Sequence, residues 1–326
     1  MNKVLVTGAT GCIGSNLIAR LLECGCSVRA FHRENSVLLA LEHIDVEHRT
    51  GDIRDPVAVL AAMQGCDTVF HTAAIVSFWK RRREEQLDVN INGTRTVVEA
   101  CLKAGVNKLV HTSSIAALGF TSDGSLITET TAFNWNEGVT YKYSKYHSEL
   151  EVLNGVARGL NASIVNPSVV IGPRDAHIHG GAFVLNIARK RVPAYIAGGV
   201  NLVGVHDVVR GHIAAAERGQ SGERYILGGV NLSHKEMFAL IAKVLNKPVP
   251  LMKAPVWSVR LIAKLCESIG EITDSEPWIS SELISGIGKT NWYSSEKAKR
   301  ELGFNPQITL KKGVRRTLDW YRKEFY

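Results

Sequence analysis

The stretch that most constrains the fold lies at the start of the chain. Lys3-Val4-Leu5-Val6-Thr7 is a short apolar run that enters Gly8-Ala9-Thr10-Gly11-Cys12-Ile13-Gly14 directly. Beyond the glycines, Ile13, Leu17, Leu21 and Leu22 recur at helical spacing. The pattern predicts strand, tight turn, helix. Three glycines in a loop say little by themselves. Between a buried strand and a helix start, they let the backbone approach a pyrophosphate resting on the helix N-terminus. The sequence therefore predicts a dinucleotide site around Gly8, Thr10, Gly11, Cys12, Ile13 and Gly14.

A second strand is expected over Ser27–His32. A cofactor without a 2′-phosphate is usually met at the end of this strand by Asp or Glu, which bonds the ribose hydroxyls. Here the tip is Phe31-His32-Arg33, with no carboxylate before Glu34. A guanidinium can grip a 2′-phosphate with paired hydrogen bonds, whereas a carboxylate would repel it. Arg33 thus favours NADP(H), with NAD(H) as the alternative if Arg33 only stacks on adenine or points into water. Further strands are expected at 46–49, 67–72, 108–112 and 162–166, with helices at 55–64 and 86–104 and another beginning near Tyr141. Asp52 and Ile53 follow a strand end, where they would touch adenine. Ala73-Ala74 offers two small side chains where backbone passes the cofactor.

This alternation to about residue 170 predicts an α/β fold, a Rossmann doubly wound parallel sheet. Residues 1–172 would bind NAD(P), with further sheet elements from about 200–230. Residues 173–326, punctuated by Gly172-Pro173, Gly180-Gly181 and Gly198-Gly199, would form a smaller, irregular, mainly substrate-binding lobe. Helices are expected there at 234–246 and 256–268. The second is amphipathic, and packing against the domain is expected in preference to a membrane surface. Leu87, Ile91, Thr94, Val98 and Cys101, with Tyr143, Tyr146, Leu150, Leu153 and Ala157, form two stripes that predict a homodimer through helices near 86–104 and 141–158.

Composition narrows the class. In 326 residues, 45% are hydrophobic and 21% charged, which is globular. No run of eighteen apolar residues suggests a membrane span, and no leader precedes the first strand. The six cysteines contain no CxxC pair and are expected to be reduced, as in a cytoplasmic protein, with no metal among their roles. The net charge of +8 suits an anionic small molecule; no motif points to nucleic acid. Lys80-Arg81-Arg82-Arg83 reads first as a solvated loop or helix start, and secondly as a contact for an acidic substrate.

The chemistry is expected at Tyr141-Lys142-Tyr143-Ser144-Lys145. Tyr141 and Lys145 are four apart and share a helix face. A phenol ordinarily titrates near 10. An ammonium about 4 Å away is worth up to ~4 kcal/mol at an effective dielectric of about 20, so Lys145 is expected to acidify Tyr141 into a proton donor and acceptor for neutral pH.

With Thr7-Gly8-x-x-Gly11-x-x-Gly14, a Ser at a strand end and Tyr141-x-x-x-Lys145 in that order, the chain resembles the extended short-chain dehydrogenase/reductases. The resemblance runs nearly end to end. It includes Asn90-x-x-Gly93-Thr94, Val205-His206-Asp207-Val208 and Leu302-Gly303-Phe304-x-Pro306. Ser114-Ile115-Ala116-Ala117-Leu118-Gly119, Asn166-Pro167-Ser168 and Gly172-Pro173-Arg174-Asp175 are most similar to its dihydroflavonol-reductase-like branch, which includes hopanoid-associated sugar epimerases. The resemblance implies Ser114 as the catalytic hydroxyl, with Ser113 as the fallback. It also implies that Lys145 holds the nicotinamide ribose, and that Pro167, Ser168 and Val169 lie beside the nicotinamide amide.

Three activities are weighed. The first is an NADP(H)-dependent reductase or dehydrogenase, in which Ser114 and Tyr141 serve a developing alkoxide. The second is a nucleotide-sugar epimerase with retained NAD, and the third a non-catalytic dinucleotide sensor. Family dehydratases carry an Asp-Glu pair after the catalytic hydroxyl, where this chain has Ile115-Ala116. Nucleotide-sugar enzymes place Arg-Asp shortly before the Val-x-Asp-Val segment, where this chain has Asn201-Leu202. Lys80–Arg83 or Arg174 could substitute for that Arg. The reductase is the preferred expectation and the epimerase the alternative.

Overall fold

The computed structural model describes residues 1–307 and 309–325. Seven parallel strands form the central sheet: β1 Lys3–Thr7, β2 Ser27–His32, β3 Glu47–Thr50, β4 Thr68–His71, β5 Lys108–Thr112, β6 Ala162–Pro167 and, after three strands of the second lobe, β10 Arg224–Leu227. Their spatial order is β10-β6-β5-β4-β1-β2-β3. The order reverses between β1 and β4, which opens the crevice at the strands' C-terminal ends where such sheets take ligands. β1, β4, β5 and β6 are buried nearly throughout, as helices on both faces require.

The helices sort into layers. On one face lie α1 Cys12–Glu23 and α7 Val205–Arg218, joined by α10 Glu296–Leu302. On the other lie α2 Pro56–Met63, α4 Gly93–Ala104 and α5 Thr140–Ala157. Asp55 caps α2, its carboxylate accepting from the Val57 and Ala58 amides. The core under α1 includes Val203, Val208, Leu227, Ala298 and Leu302, so the C-terminal half of the chain completes a layer begun by the first.

The second lobe holds β7 Val169–Ile171, β8 Ala194–Tyr195, β9 Gly199–Gly204, β11 Val230–Ser233 and β12 Met252–Lys253. β11, β9 and β7 form a three-stranded sheet, and β12 pairs with β8. α6 Ala182–Ala188, α8 His234–Val244 and α11 Leu310–Phe325 close a separate apolar core. Ser233 and Glu236 make a reciprocal capping box on α8.

Two expectations are corrected here. The helix read over 86–104 is α3 Arg83–Leu87, a π-helical turn at Asp88–Asn92 and then α4. Asn90 in that turn donates from Nδ2 to the Ile75 carbonyl (2.9 Å) and the Ser144 hydroxyl (2.9 Å), while its Oδ1 accepts from Ile75 N (2.8 Å). Widened turns of this kind often mark functional sites. The other correction concerns the stretch expected to pack its apolar side on the domain. α9 Val256–Thr273 buries only Val259, Ala263 and Gly270 and leaves most of its large apolar residues in solvent. Among the described residues, no helix is long and apolar enough to cross a membrane.

Candidate active site

The glycine turn is built by contact. Gly8 has φ +67°, and a side chain there would begin 2.5 Å from the Ala73 amide nitrogen; only glycine lets the chain after β4 pass so closely. A Cβ on Gly14 would collide with the Gly8 carbonyl. One on Gly11 would meet only that same carbonyl at 3.3 Å, so this side of the turn is open. No side chain caps α1, and its first turn holds no acid. Its leading amides and the positive end of its dipole therefore lack compensation, a setting that suits a pyrophosphate. Thr10 is buried, Ile13 packs on the core, and the Cys12 thiol faces the Pro173 carbonyl at 3.6 Å. Burial, then Asp175, pushes that thiol well up, which keeps it neutral.

A cavity of about 500 Å³ at the ends of β2 and β3 is lined by Arg33, Glu34, Asn35, Thr50, Gly51 and Asp52. Arg33 is exposed. Asp52 is gripped by Arg54 at 2.7 Å and 2.9 Å and lies below the usual carboxylate range, chiefly through that bond; Arg33 contributes last. Ile53 turns its side chain into the core beneath Gly93 instead of into this cavity. Ala73 and Ala74 are half-buried beside the turn. Pro167 ends β6, and Ser168 is buried with no partner for its hydroxyl among the described residues. Val169, half-buried, opens β7. The open glycine cradle, the uncapped helix and the orphaned Ser168 hydroxyl fit a nicotinamide dinucleotide.

Ser114, Tyr141 and Lys145 come together at the ends of β5 and β6. Ser114 starts a 3₁₀ turn, its hydroxyl accepting from Ala116 N at 3.1 Å. That hydroxyl lies toward the Tyr141 phenol and favours its charged form. Adjacent residues of extended chain face opposite ways, and Ser113 turns toward Glu149, its buried hydroxyl making no hydrogen bond among the described residues. The Phe78 ring stands edge-on to Tyr141, centroids 5.7 Å apart. Lys145 is 2% exposed and donates to the Thr112 carbonyl at 2.7 Å.

The electrostatics correct one expectation. The phenol of Tyr141 is raised above its ordinary value by burial, against a smaller downward pull from Ser114, and Lys145 is not among the causes. Lys145 itself is lowered to about 8, again by burial, with Glu149 opposing. The i, i+4 spacing fixed the shared face but not the direction of the ammonium, which is committed to a backbone carbonyl.

Residues that support the site went unread in the sequence. Glu149, fully buried one turn beyond Lys145, accepts from Asn166 Nδ2 (2.6 Å) and pairs with Arg224 Nη2 (3.1 Å). Burial raises its carboxyl although Arg224, Ser113, Asn166 and Lys145 all favour the charge. The Tyr141-Lys145-Glu149 ladder was present in the spacing. Glu282 was not signalled: its carboxylate accepts from Tyr141 N at 2.8 Å, capping α5 from another part of the chain. Three cations of the basic run are paired within the chain, while Lys80 stays exposed. Arg81 bonds Asp274 and the Glu271 carbonyl, Arg82 bonds Glu85, and Arg83 donates to the Glu137 carbonyl and to Thr140 at the start of α5. Arg174 donates to the Ala40 carbonyl at 2.6 Å. Asn201 is buried, donating to Asn231 Oδ1 and accepting from Gly229 N.

Comparison with known proteins agrees with this construction. The sequence profile of the NAD dependent epimerase/dehydratase family matches residues 4–228. A Synechocystis protein provisionally named dihydroflavonol 4-reductase is 34% identical, the match covering 98% of this chain and 95% of that protein. Sterol demethylase protein B of Methylococcus capsulatus is 33% identical over 98% of each. The crystal structure of gox2253 superposes with a TM-score of 0.85 at 36% identity, over 100% of this chain and 99% of the other. With these matches spanning the sheet, the glycine turn and the Ser-Tyr-Lys cluster, the chain belongs to the NAD-dependent epimerase/dehydratase family of extended short-chain dehydrogenase/reductases and is an enzyme of that family.

Proposed function

We propose that this enzyme is an NADP(H)-dependent reductase or dehydrogenase interconverting a ketone and a secondary alcohol on a mostly apolar small molecule. The observation that carries the reading is the gathering of Ser114, Tyr141 and Lys145 beside the Phe78 ring, with the Tyr141 phenol buried and within the influence of the Ser114 hydroxyl. In this reading a nicotinamide dinucleotide would supply or take up the hydride. Gly8, Thr10, Gly11, Cys12, Ile13 and Gly14 would hold its pyrophosphate. Arg33, Asp52, Ile53, Ala73 and Ala74 would line its adenosine end, and Tyr141, Lys145, Pro167, Ser168 and Val169 its nicotinamide end. Ser114 donates to the substrate oxygen as negative charge grows there. Tyr141 gives up its phenolic proton to that oxygen in reduction and takes it back in oxidation. Its raised value keeps the phenol protonated at neutral pH, the form that donates in reduction.

The alternative, a nucleotide-sugar epimerase with retained NAD, is disfavoured by two observations. Asn201 is buried and bonded within the chain where a diphosphate-gripping Arg would stand, and Arg81, Arg82, Arg83 and Arg174 all have internal partners. The relatives named for dihydroflavonol reduction and sterol demethylation also favour an apolar ring substrate. We assign cofactor binding mainly to residues 1–172 and substrate binding mainly to 173–326. We further assign a cytoplasmic location, a homodimer through α4 and α5, and no nucleic-acid partner. The test is a pair of variants. Tyr141→Phe should bind cofactor normally and lose turnover by at least about a hundredfold. Arg33→Asp should move preference toward NAD(H). A fully active Tyr141→Phe, or protein that purifies with NAD and never changes absorbance at 340 nm, overturns the reading.

A further inference from the structure

Ser114 is held from two sides. Its hydroxyl accepts from Ala116 N at 3.1 Å, and its carbonyl accepts from Asn166 Nδ2 at 2.9 Å. The first bond occupies an acceptor site of the hydroxyl and leaves its hydrogen to donate elsewhere. The second fixes the peptide from which the side chain springs. Asn166 is fully buried near the end of β6, the strand beside β5.

The same nitrogen donates to Glu149 Oε1 at 2.6 Å. A side-chain amide carries both of its hydrogens on nitrogen and none on oxygen, so only its amino end can serve these two acceptors. The amide oxygen has no partner among the described residues. Glu149 is anchored in turn by Arg224 Nη2 at 3.1 Å, from β10 on the other side of β6. Tyr141, Lys145 and Glu149 follow one another in steps of four along α5. The helix that presents the phenol therefore also carries the acid that Asn166 joins to the serine opposite.

We propose that Asn166 is a positioning residue of the Ser-Tyr-Lys cluster: by bridging Glu149 and the Ser114 carbonyl, it fixes where the serine hydroxyl stands relative to the Tyr141 phenol. Both of its N–H bonds are committed within the chain, so it acts through Ser114. A hydroxyl assists a reacting oxygen only from hydrogen-bond distance, and a misplacement of about 1 Å costs on the order of a hundredfold in rate. A role confined to filling the interior predicts instead that any loss follows overall stability. The effect on turnover rests on the reductase reading; the effect on Ser114 does not.

The experiment compares three variants of the full chain. Asn166→Leu keeps the bulk and removes both donors, Asn166→Ser retains one hydroxyl donor, and Met63→Ala loses packing in the core beside α2. One readout is hydrogen exchange at the Ala116 amide, which reports the Ser114 hydroxyl, taken as a ratio to exchange at Val152 in α5. The other is NADPH-dependent reduction of menthone, an apolar ring ketone. Asn166→Leu should raise the exchange ratio about tenfold or more. Its kcat should fall about a hundredfold, with the KM for NADPH within about twofold of wild type. Asn166→Ser should lie between, and decides by the same readouts if Asn166→Leu does not fold. Met63→Ala should melt lower and keep both kcat and the exchange ratio. The assignment is overturned if both Asn166 variants keep the wild-type ratio, or if Met63→Ala shifts it as far. It is also overturned if kcat holds in both, or falls only in step with a rising KM for NADPH. If wild type does not reduce menthone, the failure is that of the reductase reading, and the exchange ratio alone decides the role of Asn166.

Discussion

Glu149→Gln isolates the group on which the buried side of the proposed catalytic cluster leans. The glutamine keeps shape and volume but removes a negative charge that is fully shielded from water, accepts from Asn166 at 2.6 Å and faces Arg224 at 3.1 Å. Breaking a fully buried ion pair from one side costs about 3–5 kcal/mol, because the remaining charge is stranded. Arg224 is 22% exposed, so water can soften the loss, and about 2–3 kcal/mol is the better figure. For a chain of this size each kcal/mol moves the melting temperature by roughly 1.5–2 °C, giving a fall of about 3–6 °C. Glu149→Met with Arg224→Met removes both charges and should recover at least half of it. Glu149 is also the group holding Lys145 up against its burial. The titration of Lys145, near 8 in the parent, should therefore move down in Glu149→Gln. Thermal melting of Glu149→Gln, of Glu149→Met and Arg224→Met singly, and of the double variant decides. A Glu149→Gln protein melting within about 1 °C of wild type, or a double variant that falls as far as the two singles combined, refutes the reasoning.

Three further outcomes are expected. Gly14→Ala drives a methyl into the Gly8 carbonyl and to 2.9 Å from the Thr72 hydroxyl; it should cost about 1–3 kcal/mol and weaken dinucleotide binding, as read by melting and cofactor titration. Asn90→Ala strands both the N–H and the carbonyl of Ile75 and should cost about 2–4 kcal/mol in urea unfolding. Lys142, which burial, then Lys289, lowers from 10.5 to about 7, binds fewer protons folded than unfolded between those values. Its own contribution to stability should therefore rise with pH from about 7 toward 10. Lys142→Met should remove the part of that rise that begins near pH 7, leaving the parts owed to Lys108 and Lys145, both near 8.

The sheet was legible because parallel strands buried on both faces write themselves as apolar runs such as Val4–Val6 and Val69–Phe70, with glycines where the chain must turn. Ser114, Tyr141 and Lys145 were legible through spacing and order. What failed was anything set by a distant partner. The π-helical turn at Asp88–Asn92 answers to Ile75, not to its own periodicity, and the titration of Tyr141 answers to burial and to where Lys145 points. The strand at 199–204 pairs with 230–233 on one side and with 169–171 on the other, a match no single window contains. In α9 the apolar periodicity was visible, but which side faced inward was decided by small residues, Ala263 and Gly270, that carry little pattern.

The cap that Glu282 places on Tyr141 N has a mechanical consequence. α5 has no side-chain cap of its own at its start, so the helix that presents the Tyr141 phenol is completed only while the 276–285 segment lies across it. A bulky molecule that lifts this segment on its way in would leave the Tyr141 amide to water and fray the first turn, loosening the phenol while the door is ajar. Reclosure would restore the amide bond and the phenol's aim together, so deuterium uptake at Tyr141 becomes a clock for how often the cleft opens.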